Sequence, residues 1–187
     1  PTPSIISAQV AIRDSMTVIR PTVNSLVDPL QMNLAFLDIF SGASAACGNN
    51  FDNLFVPFRA VASDVFNKNS IVLSKGALGD AVRASMSFPF VFRPIMIDSI
   101  IAYDGGIYDN FPVDVMVNDF HPDFIIGSLV AVAPGEHKVE IPDEFDIMGQ
   151  VTSMIIQKSD YSLDPSLGVK VEFDLTSVGL LDFHLID

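Results

Sequence analysis

The chain has 187 residues, 49% of them apolar, which fits one domain with a buried core and excludes intrinsic disorder. Its 10 basic and 23 acidic residues leave a formal net charge of −13, a surface that repels phosphate backbones and excludes nucleic acid as a partner. The same charge opposes docking on anionic lipid but not on neutral apolar surface, and the single cysteine, Cys47, excludes an internal disulfide framework or a multi-cysteine zinc site.

The chain opens on Pro1-Thr2-Pro3-Ser4, without the layout of a signal peptide, and closes with apolar residues still arriving over 180–187. Both ends lead to the expectation of a piece of a longer protein. Met32, Phe36, Ile39 and Phe40 recur at helical spacing and predict a helix over 29–41, with Asp28 as N-cap and Pro29 in the first turn. Residues 42–53 read as a small-residue loop. The β-rich stretch 54–66 predicts a core strand interrupted at Pro57, a turn over 67–70, and a short strand over 71–73. Ser74 is placed to cap a helix over 76–87, whose small residues allow close packing on a sheet and which Pro89 ends.

Residues 90–97 and 99–103 read as extended, followed by a sharp turn at Asp104-Gly105-Gly106 and a short helix from Pro112. The apolar run 123–133 is too short to cross a membrane and predicts a strand of a parallel sheet covered on both faces. An acidic loop over 135–146, a helix over 147–156, a strand over 169–173 and a further helix from Asp182 complete the pattern. Strands alternating with helices indicate the α/β class.

The sharpest constellation runs from Ala102 to Pro112. A strand delivers Asp104 to its end, two glycines follow, and a helix begins. Such a position suits a catalytic carboxylate, because functional groups of open α/β sheets sit where strands end. It equally suits a plain turn in which the aspartate bonds its own backbone.

Neighbouring stretches add weight to the first reading. Phe55-Val56-Pro57-Phe58-Arg59-Ala60-Val61-Ala62-Ser63-Asp64 precedes Gly76 and the run Ala81-Val82-Arg83-Ala84-Ser85-Met86-Ser87-Phe88-Pro89. Phe92, Pro94 and the Asp104-Gly105-Gly106 turn with its Asn110-Phe111-Pro112 tail follow. This order resembles the second half of the patatin-like phospholipase family, clearly so over about residues 50–133. The resemblance implies a three-layer α/β/α fold with a mainly parallel sheet, incomplete on its N-terminal side, so that residues 1–187 form the C-terminal portion of one acyl-hydrolase domain. It further implies acyl-ester hydrolysis by a Ser–Asp dyad, with Asp104 as the catalytic base and Gly105 and Gly106 shaping the turn that presents it. No cofactor is required. The partners it implies are a lipid or other acyl ester and a transiently contacted membrane surface. Oligomeric state stays open, as do bacterial cytoplasm and cell envelope as compartments.

The family places its nucleophile in a Gly-x-Ser-x-Gly elbow after a glycine-rich oxyanion loop. Among the eleven glycines only Gly42 has a serine two positions on, and Gly42-Ala43-Ser44-Ala45-Ala46 lacks the second glycine. Ser44 is therefore the one nucleophile candidate by spacing, read here as an ordinary loop residue. The expectation is that nucleophile and oxyanion loop lie outside this chain, which alone is inactive. The rival reading is a non-catalytic patatin-fold module serving binding or scaffolding. His121, His137 and His184 offer a Ser–His–Asp alternative through Ser44, Asp104 and His121, with His121 read as a loop residue beside Pro122. Asp104, Asp109, Asp114 and Asp119 recur every five residues, a spacing that fits solvated turns and helix starts better than a calcium loop. Arg59 and Arg83 are expected to pair structurally with Asp64 or Asp80, and Asp64 itself is read as structural.

Overall fold

The computed structural model describes residues 9–13, 16–20, 29–130 and 159–173, the first two stretches by their backbone alone. Asp28, the loop 135–146, the helices predicted over 147–156 and from Asp182, and His137 and His184 lie outside the described residues. The chain divides into two units, Pro1–Tyr108 and Asp109–Asp187.

In the first unit, Gln9–Arg13 (β1) and Met16–Arg20 (β2) pair antiparallel, with Gln9 opposite Arg20. Leu30–Ala46 (α1) follows, preceded by Pro29 at the cap. It outruns the predicted helix by more than a turn, because Gly42 to Ala46 continue it where a loop was expected. Met32, Phe36 and Phe40, four residues apart, face the protein, whereas Ile39 is exposed. After a 3₁₀ turn at Phe51–Asn53 come Ala60–Asp64 (β3) and Asn69–Leu73 (β4). The strand predicted over 54–66 thus shrinks to its second half. Pro57 has no N–H for a ladder, and the preceding segment closes on itself through the Phe58 N–H to the Phe51 carbonyl at 3.3 Å.

Leu78–Ser85 (α2) starts two residues later than predicted, since Gly76 has φ +102°, a left-handed conformation no helix accepts. Ile95–Ile97 (β5) and Ile100–Asp104 (β6) form a hairpin around Asp98 and Ser99, both with positive φ, as a tight hairpin turn requires. A 3₁₀ turn at Gly105–Ile107 ends the unit.

These strands make a four-stranded sheet in the order β4-β3-β6-β5, and every neighbouring pair is antiparallel. The parallel sheet expected from the sequence does not extend to this part of the fold. The β3–β4 and β5–β6 connections are tight turns, and a parallel pairing needs a crossover of about a dozen residues or more. All five residues of β3 are buried. The helix α2 lies on this sheet against β3, β5 and β6, and α1 packs on α2. Ala62, Ala84 and Ala102 are fully buried where helix meets sheet, so the absence of long side chains permits the close approach read from the sequence. A second cluster joins Phe51, Ala60, Leu78 and Ala81, with Phe40 and Phe58 packed against it.

In the second unit, Val113–Val115 (α3) opens after Pro112, as predicted, and widens into a π-turn over Met116–Phe120. It stops at His121, whose φ of +48° is left-handed. Ile125–Leu129 (β7) pairs with Gly168–Glu172 (β8) in parallel, Ile125 opposite Gly168. Burial along β7 alternates and Ile126 is exposed, so one face of this strand is covered rather than the two expected.

Candidate functional site

Asp104 is the last residue of β6, in register with Ala62 of β3. Its backbone N–H donates to the Ser87 carbonyl at 3.1 Å, tying the strand end to the segment after α2. Its side chain folds forward, and Oδ1 accepts the Gly106 N–H at 2.8 Å, capping the 3₁₀ turn. Oδ2 accepts no hydrogen bond among the described residues. The plain-turn reading is thus present in the structure, with one carboxylate oxygen serving the backbone. Burial pushes the Asp104 carboxyl above its ordinary value, opposed by the Gly106 hydrogen bond.

Neither Gly105 nor Gly106 has positive φ. Gly105 is needed for proximity: a Cβ there would sit 2.5 Å from the Val61 carbonyl oxygen and 2.8 Å from its carbon. The Gly105 carbonyl also accepts the Ser63 hydroxyl at 3.4 Å. Glycine thus lets β3 press against the turn and fix the direction in which Asp104 leaves the sheet.

Ser44 is neither an elbow nor a loop residue. It lies inside α1, buried, with its Oγ accepting the Leu78 N–H at 3.1 Å. Leu78 is the first residue of α2, and the early N–H groups of a helix have no partner of their own. Ser74, predicted to cap this helix, does not, and no side chain of the preceding residue does either. The cap comes instead from a residue distant in sequence, which no local pattern could reveal. His121 ends the π-turn of the second unit, with its Nδ1 2.8 Å from the Val117 carbonyl of that turn.

Arg83 is buried at 3% exposure, and its partners are not the expected Asp64 or Asp80. Its guanidinium donates to the Asn33 Oδ1 at 3.2 Å, the Arg93 carbonyl at 2.7 Å and the Ser87 hydroxyl, and it covers the Phe92 ring. Burial pulls its pKa down from the ordinary value. Arg59 pairs with Asp52 at 2.7 Å. Asp64 is structural, its Oδ1 accepting the Phe66 and Asn67 N–H groups and its Oδ2 the Asn67 amide in the β3–β4 turn. These bonds hold its carboxyl below the ordinary value. Cys47 is buried at the end of α1, with its thiol directed to the Ser44 carbonyl.

A groove of about 520 Å³ runs between α1 and α2, lined by Leu34, Phe36, Leu37, Phe40, Asp80 and Arg83 among others. None of its lining residues belongs to the Asp104 turn. In the second unit, the Asn110 N–H donates to the Ser159 hydroxyl at 2.9 Å, and Phe111 packs against Tyr161. Burial and the Asp114 carboxylate push Asp109 up. Among the described residues, no three His, Cys, Asp or Glu side chains converge as a metal site would require. No helix among them is long and apolar enough to cross a membrane.

A family model described as Patatin-like phospholipase matches residues 17–117. An uncharacterized NTE family protein of Mycobacterium tuberculosis is 37% identical over 62 residues, covering 33% of this chain and 17% of the relative. Another NTE family protein of that organism is 24% identical over 152 residues, covering 70% of this chain and 26% of the relative. A Mycobacterium bovis protein matches to the same extent as the second. The chain therefore spans about a quarter or less of the length of these curated relatives. With more than half of its residues inside the family match, the chain belongs to the patatin-like phospholipase family, and with it to the α/β class expected from the sequence.

Proposed function

We propose that this chain supplies the general base of a lipid acyl hydrolase that works through a Ser–Asp dyad, with Asp104 as that base. The observation that carries the reading is the Asp104 carboxyl: partly desolvated at a strand end, fixed through Oδ1, and with Oδ2 left to take a proton. A serine hydroxyl is a poor nucleophile until a base within hydrogen-bond reach removes its proton. Here Asp104 takes the proton as the serine oxygen bonds to the ester carbonyl carbon. The tetrahedral intermediate then collapses, its ester C–O bond breaks, and the proton passes from Asp104 to the departing alcohol. Asp104 next deprotonates a water, which attacks the acyl-serine and releases the fatty acid, and the proton returns to the serine. A carboxyl raised by burial is a stronger base once ionised, which suits this role.

The nucleophile in this reading comes from chain outside the 187 residues, and residues 1–187 are the C-terminal portion of the domain. Support comes from the position of Ser44, whose oxygen is occupied in capping α2. The test has two arms. In the intact parent, Asp104→Asn is expected to abolish hydrolysis of short acyl esters. The 187-residue chain alone is expected to show none, and turnover that disappears in Ser44→Ala would overturn the assignment. Full activity of the Asp104→Asn parent would remove Asp104 from the mechanism.

A further inference from the structure

By sequence, residues 54–58 read as the start of a core strand, and the structure makes 51–58 a pinned loop. Three contacts close its base. The Phe58 N–H bonds to the Phe51 carbonyl at 3.3 Å, the Phe51 and Phe58 rings pack at 6.0 Å, and Asp52 pairs with Arg59 at 2.7 Å. Phe51 is itself fully buried, so the base is part of the core. Beyond it the tip is apolar and turned to solvent: Phe55 is fully exposed, Val56 is 69% exposed, and Pro57 is exposed. The pinned base thus holds these apolar groups outward, where covering them with an external apolar phase would be favourable.

The register says which end of the sheet this tip leaves. β3 runs antiparallel to β6 with Ala62 opposite Asp104, and the loop leads into β3 at Ala60. The loop therefore joins β3 at the end where β6 delivers Asp104. The three tip residues, Phe55, Val56 and Pro57, carry no charge, on a chain whose net charge is −13. That combination fits a neutral, zwitterionic lipid surface and opposes an anionic one.

We propose that the Phe55–Val56 tip inserts into zwitterionic lipid and so sets the Asp104 end of the sheet against the substrate aggregate. The assignment rests on the acyl-hydrolase reading for its purpose, but its test reads binding and not turnover. The chain contains no tryptophan, so Phe55→Trp places a single indole at the tip. With phosphatidylcholine vesicles its emission is expected to shift to the blue and to be quenched by lipids brominated in the acyl chain. Phe55→Asp, and independently Val56→Asp, are expected to weaken vesicle partitioning about tenfold or more with the circular dichroism spectrum unchanged. Asp104→Asn is expected to bind vesicles like the native chain, so a failed base assignment and a failed tip assignment give different results. Three results would overturn the proposal. One is unchanged partitioning in both aspartate variants. Another is binding that requires phosphatidylserine. The third is a blue-shifted indole without lipid that depends on protein concentration, which would assign the tip to a second copy of the chain.

Discussion

Gly105→Ala tests whether the turn behind Asp104 is held by proximity or by backbone freedom. The added Cβ would lie 2.5 Å from the Val61 carbonyl oxygen, where ordinary contact begins at 3.4 Å, so β3 and the turn must separate by about 0.9 Å. The obstacle is backbone in a fully buried strand, which cannot swing aside as a side chain would. Overpacking of this kind costs about 3 kcal/mol or more. For a chain of this size that lowers the melting temperature by about 6–12 °C. Gly42→Ala is the matched control, since nothing lies within 4 Å of its Cβ position and it sits inside α1. There the methyl group is expected to add up to about 1 kcal/mol through helix propensity alone. Thermal and urea unfolding of the two variants give the comparison. A Gly105→Ala variant within about 0.5 kcal/mol of the native chain would refute the close-approach argument.

Three further outcomes follow from the same geometry. Ser44→Ala removes the oxygen that satisfies the buried Leu78 N–H and is expected to cost about 1–2 kcal/mol in urea unfolding, whereas an unchanged midpoint would show that α2 does not depend on this cap. Ser99 adopts φ +67° in the β5–β6 turn, so Ser99→Gly is expected to stabilise the chain by about 1 kcal/mol, and a loss of stability would contradict the left-handed assignment. Burial raises the Asp104 pKa in the folded state, so its contribution to stability is fully present below the unfolded pKa and is lost as pH rises through the folded one. Asp104→Asn keeps an acceptor for the Gly106 N–H. Its melting temperature relative to the native chain should therefore be higher at neutral pH than at about pH 3, and the opposite slope would mean the carboxylate is stabilised when charged.

Patterns that are local in sequence carried over into the structure. The first two-thirds of the helix Leu30–Ala46, the β4 strand, the Asp104 turn and the helix start after Pro112 each follow from spacing or from a proline. Relationships between distant segments did not show. Phe55 and Val56 look like strand residues by type, and only Pro57 hinted that the ladder could not form. Ser44 looked like a loop because glycine and alanine flank it, yet it caps α2 from a separate helix. The partners of Arg83 were not legible, because Asn33, Ser87 and the Arg93 carbonyl come together only on folding. The antiparallel sheet was likewise hidden, since strand direction depends on connection lengths that the apolar pattern blurred at 54–59 and 90–94.

The central claim is that Asp104 is the base of an acyl-ester hydrolase. Its most direct test is the steady-state hydrolysis of a short-chain acyl ester by the intact parent carrying Asp104→Asn. The carboxamide preserves shape and the bond to Gly106 but cannot accept the serine proton. A fall in kcat of about 10²- to 10⁴-fold with an unchanged fold is expected. Native kcat in that variant would contradict the assignment.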